Sequence, residues 1–151
     1  MSHFSQVRDL LKHNQQQHSQ IAQFYAGLAA QTSNPRAAML LTTLHQHETQ
    51  LAGELNRYLQ TGCDNVLNTF FQYDHEHSVQ SLMQVEDAEF TTEDEVISLA
   101  SRIDEYFLQL YEEMREAVEH SEVRDMFENL AQHITEEKKR LSTDIYSLQD
   151  I

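Results

Sequence analysis

Four long stretches of this chain place an apolar residue at every third or fourth position, a pattern that fits amphipathic helices and little else. The first row is Phe4, Val7, Leu11, Asn14, His18, Ile21, Tyr25, Leu28. The second is Ala37, Leu41, Leu44, Glu48, Leu51, Leu55, Tyr58. The third is Ile97, Ala100, Asp104, Phe107, Tyr111, Met114, Val118, and the fourth Val123, Phe127, Leu130, Ile134, Glu137, Leu141. With three glycines and one proline in 151 residues, little interrupts them. One all-α domain over residues 1–151 is expected, with helices near 3–31, 35–61, 92–119 and 122–148.

Local signals set those limits. Asn34 before Pro35 reads as an N-cap with proline at the first helical position. Gly62 reads as a left-handed terminator. Thr92 with Glu95 three residues on is a capping box, and Ser121 reads as the cap of the last helix. Short links predict two antiparallel hairpins, while the crossover 62–91 is long enough to run the length of a bundle and set its second and third helices parallel. Val66, Leu67, Phe70, Phe71, Leu82, Met83 and Val85 give the crossover apolar faces, so it is expected to pack on the bundle, partly as short helices. The third helix carries a second apolar row, Val96, Leu99, Ile103, Tyr106 and Leu110. The crossover or another subunit must cover it, and a homodimer is the expectation.

Composition narrows the function. A formal charge of −15 speaks against nucleic acid or an anionic membrane as partner. The single Cys63 allows neither an internal disulfide nor a cysteine-rich metal site, and no basic residue adjoins it to activate the thiol. The sequence opens without a basic-then-apolar leader and has no apolar run approaching the roughly 20 residues of a membrane span. A cytoplasmic protein with an unidentified protein or small-molecule partner is expected.

Two residues violate the apolar pattern most sharply. Glu48 and Glu137 each sit in register with a buried row, where an ionised carboxylate costs several kcal/mol unless something meets it. The polar core positions also repeat. His18 is followed seven residues later by Tyr25 and 30 later by Glu48; Asp104 is followed seven later by Tyr111 and 33 later by Glu137. If the hairpins pair about a pseudo-two-fold axis, His18, Glu48, Asp104 and Glu137 converge at mid-height.

This constellation resembles the ferritin-like superfamily, and its rubrerythrin branch most closely, over essentially the whole chain. Such proteins hold two iron or manganese ions with a Glu on the first helix of each hairpin and Glu-x-x-His on the second. His18-Ser-Gln-Ile-Ala-Gln-Phe-Tyr25 looks like the family's Glu…Tyr segment with the Glu replaced, and Asp104 stands where the other hairpin has Glu. Glu48-Thr-Gln-Leu51 and Glu137-Lys-Lys-Arg140 look like Glu-x-x-His motifs with both histidines lost. The resemblance therefore implies a ferritin-like four-helix bundle with a degenerate dimetal site.

Two readings of that site follow. In one, no metal binds and the chain is a non-catalytic binding or interaction module. Arg140 pairs with Asp104 or Glu137, a protonated His18 offsets Glu48, and Tyr25 and Tyr111 donate to the same carboxylates. In the other, His18, Glu48, Asp104 and Glu137 hold a single Fe, Mn or Zn ion, with His45 or His133 as auxiliary ligands, for a metal-dependent oxidoreductase or iron-handling protein. His47 is expected to point away from the Glu48 row, His75-Glu76-His77 to form a solvated turn, and Asn14 to serve as a hydrogen-bond partner or register-setting polar residue.

Overall fold

A computed structural model describes residues 2–75 and 79–149. Along the chain come β1 (Ser2–Gln6), α1 (Val7–Gln31), α2 (Pro35–Thr61), α3 (Asp64–Leu67), β2 (Phe70–His75), a 3-10 turn (Val79–Leu82), α4 (Glu93–Ala117) and α5 (Ser121–Gln149). The four long helices follow the apolar rows, and the caps explain where two of them start. Asn34 accepts from the Arg36 and Ala37 N–H groups, and Thr92 accepts from Glu95 N–H.

Three local expectations need correction. The first helix starts at Val7, not residue 3: residues 2–6 instead pair antiparallel with β2, and Val7 N–H donates to Thr69 O at 3.1 Å. Gly62 does cap α2, but in extended conformation (φ −64°, ψ 144°), not the left-handed one. Its lack of a side chain matters for space, since a Cβ there would lie 2.5 Å from the Tyr58 carbonyl oxygen. Ser121 is already helical, and the His120 ring accepts from Glu122 N–H in its place.

Side-chain pairs give the helix directions. His18 meets Glu48 while His45 meets Ala22 O, so α1 and α2 are antiparallel. Tyr111 stacks on Phe127 while Glu105 reaches Lys138, so α4 and α5 are too. Across the hairpins, Glu54 meets His133 and His47 meets Glu137, which makes α2 and α5 antiparallel. Hence α2 and α4 run in the same direction. The crossover spans the bundle to make this possible, ending where Ser33 N–H donates to Glu89 O at 2.9 Å.

The crossover also settles what covers the second row of α4. The 3-10 turn and β2 both pack on that helix, leaving Val96, Leu99, Ile103 and Leu110 buried and Tyr106 half-buried within one chain. No second subunit is needed there, so that row gives no reason for a dimer. Val66, Leu67 and Val79 join the core, while Phe70 is 74 % exposed, contrary to its assignment to a packed face. Glu76 and His77 of the His75-Glu76-His77 stretch lie outside the described residues. No helix among the described residues is long and apolar enough to cross a membrane.

Candidate polar site in the bundle core

The bundle buries Glu48 and Glu137 to 3 % and 7 % exposure, and each finds basic partners. His18 Nδ1 lies 2.6 Å from Glu48 Oε2, and His18 Nε2 lies 3.0 Å from the Tyr111 hydroxyl. An ionised Glu48 only accepts, so Nδ1 carries the proton toward it. Tyr111 then donates to Nε2 if the ring is neutral, or accepts from it if the ring is charged. Both nitrogens are used either way. The imidazole also stacks on Phe107 with centroids 3.9 Å apart, which fixes its plane.

Glu137 occupies a second network, on the α2–α5 side. Its Oε2 lies 2.7 Å from His47 Nε2, and its Oε1 lies 3.5 Å from His133 Nε2. The other nitrogen of His133 bonds Glu54 Oε2 at 2.5 Å. That bond is the main cause of a raised His133 pKa, with burial acting against it. Glu54, His133, Glu137 and His47 thus alternate as acids and bases between two helices, with a hydrogen bond from His133 to Glu54 and with Glu137 at ion-pair distance from both histidines, its Oε2 lacking hydrogen-bond geometry. A polar groove of about 380 Å³, bordered by Gln50, Gln132, His133, Glu137 and Arg140, opens beside them.

Several expected roles change. Arg140 makes a single bond to Glu137 Oε1 at 3.3 Å from a side chain that is 70 % exposed, so it does not supply a buried counter-charge. His47 and His133 stand beside Glu137 instead, and of the two His133 has a pKa raised from its ordinary value. His45 Nδ1 donates to Ala22 O at 2.8 Å and so joins α2 to the backbone of α1. Tyr111 bonds His18 rather than a carboxylate. Tyr25 is buried, and its pKa is raised well above its usual value by burial first, then by Glu48 and Asp104. Asn14 is fully buried beside the Tyr111 hydroxyl, where it opposes the rise that burial gives the Tyr111 pKa, although neither atom of its amide reaches full hydrogen-bond geometry.

Asp104 is half-buried and feels both glutamates. Burial, then Glu48, push its carboxyl up to about 8, with Glu137 adding to the rise and Lys138 opposing it. Asp104 therefore shares an electrostatic neighbourhood with both glutamates, while His18 and Glu48 are in direct hydrogen-bond contact. Glu54 has no role in the sequence expectations, and His47 is expected there only to point away from the Glu48 row. They stand seven residues apart on one face of α2, a spacing visible in the sequence, but their partners depend on how α5 is rotated against α2.

A dimetal group does not suit these side chains. The His18 nitrogens are committed to Glu48 and Tyr111, Leu51 has no donor atom, and Arg140 brings a cation to the edge of Glu137. Among the described residues, no group of three or more His, Cys, Asp or Glu side chains is arranged to hold a metal ion. Compared with known family models, curated proteins and solved structures, the chain matches none of them.

Proposed function

We propose that the chain is a ferritin-like bundle of the rubrerythrin kind in which histidine–glutamate pairs take over the charge compensation of a dimetal centre. It acts as a non-catalytic, cytoplasmic binding or interaction module. Parallel α2 and α4 joined by a full-length crossover, together with two buried glutamates in corresponding places, support the family reading. The observation that carries the functional reading is His18, a base in the core with both nitrogens already engaged. A ligand bound there would first have to break those contacts.

The test is metal content per chain after purification without chelator or affinity-tag metal, followed by titration with Fe(II) and Mn(II). Metal-free protein that takes up neither ion is the expected result. Stoichiometric metal that disappears in Glu48→Ala and Glu137→Ala would overturn it. One arrangement favours the competing reading, a metal-dependent oxidoreductase or iron-handling protein: Glu137 stands between the ring nitrogens of His47 and His133. On that reading, metal uptake would depend on His47 and His133 as well as on Glu137.

A further inference from the structure

Outside the bundle core, an open groove of about 780 Å³ runs between the C-terminal half of α1 and crossover residues 81–88. That volume lies within the range of small-molecule sites, roughly 300–1,000 Å³. Phe24, Leu28, Leu82, Met83 and Val85 line it, each buried or half-buried against the core. Gln31, Ser81 and Gln84 line it too, and its two charged residues are Arg102 of α4 and Glu86 of the crossover. Among the described residues neither is in an ion pair, and the hydrogen bond of the Arg102 side chain goes to Ser98 O of its own helix at 3.4 Å. One cation and one anion, neither of them in an ion pair, therefore border the same trough, whose lining is part apolar and part polar.

Gly27 lies on the α1 wall of this groove, and a Cβ added there would meet nothing within 4 Å. No close packing accounts for a glycine in the interior of a 25-residue helix, where it is less favourable than alanine. Its effect is to leave the trough open.

We propose that this groove binds a short apolar peptide with free termini. The peptide carboxylate pairs with Arg102, its ammonium faces Glu86, and its side chains lie along Phe24, Leu28, Leu82 and Met83. Charge favours this occupant over a simple anionic amphiphile. A zwitterion uses both charged residues of the lining and carries no net charge into the field of a −15 chain. Size favours a peptide over one amino acid, which would fill a minor part of the volume. The inference rests on the reading of the chain as a binding module and supplies that module's ligand class.

Calorimetric titration of the full-length protein with leucyl-phenylalanine tests it. Saturable one-site binding is expected, weakened about tenfold or more by Arg102→Gln and by N-acetylation or C-amidation of the peptide, each of which removes a charged contact. Gly27→Phe fills the trough and should abolish binding with helical circular dichroism and thermal midpoint retained; the exposed Arg102→Gln serves as an independent variant. Absence of binding by the unaltered protein overturns the proposal. So does binding that survives both substitutions, or a capped peptide or decanoate that binds as well as the free peptide. Iron or manganese found in the core would refute the non-catalytic reading and leave the titration result standing, so the two failures are separable.

Discussion

At the scale of single residues, the chain shows how a carboxylate is kept inside an apolar bundle. Glu48 is 3 % exposed, and its counterpart is one imidazole held by stacking on Phe107 and by the Tyr111 hydroxyl. Removing that partner leaves a buried charge without compensation. His18→Leu should therefore destabilise the fold by about 3–5 kcal/mol in urea unfolding at pH 7. A loss below about 1 kcal/mol would mean that Glu48 draws its compensation from elsewhere. Arg140 supplies the contrast. Its single contact with Glu137 is made from a mostly exposed side chain, where water screens the pair. Arg140→Leu should change stability by no more than about 1 kcal/mol. A loss comparable to that of His18→Leu would restore Arg140 as the compensating charge.

At the scale of elements, the helix ends decide how the hairpins and crossover meet. Gly62 closes α2 where the chain turns into α3, with the Tyr58 carbonyl and Leu67 side chain bordering the space a Cβ would take. Gly62→Ala places a methyl 2.5 Å from that carbonyl oxygen and should lower stability by about 1–3 kcal/mol, read as a drop in thermal midpoint. An unchanged midpoint would show that the turn relaxes freely. Elements of this kind were partly legible in the sequence. Asn34-Pro35 and Thr92 with Glu95 act on their own backbone within three residues, so their meaning survives without tertiary context. The strand at 2–6 does not have that property. Phe4 extends the apolar row of α1, but pairing with residues 70–75, far along the chain, takes the segment out of the helix. His47 is a parallel case in the site. Periodicity on α2 turns it away from the Glu48 row, yet α5 presents Glu137 on that side.

At the scale of the whole molecule, 25 acidic against 10 basic residues put the burden of charge compensation on histidines and on protons. Two titrations then act in the same direction. His133 has a folded pKa raised above 6.5, chiefly by its hydrogen bond to Glu54, so its contribution is complete below that value and is lost as pH rises through the folded pKa. Asp104 is raised from 3.8 to about 8, mainly by burial, so the folded chain holds a proton that the unfolded chain has already released. Where the native state binds more protons, raising the pH destabilises it, which for Asp104 applies between about 3.8 and about 8. The thermal midpoint should thus fall from pH 5 to pH 8, with both groups contributing above pH 6.5. His133→Gln should flatten the upper part of that fall. Asp104→Asn keeps the size of the side chain but cannot ionise, so its midpoint should exceed that of the unaltered protein by a margin that widens from pH 5 to pH 8 and then levels off. Parallel midpoint curves for the two proteins would mean that Asp104 ionises as an ordinary surface carboxylate. In that case the glutamates of the two hairpins would not act on a common neighbourhood.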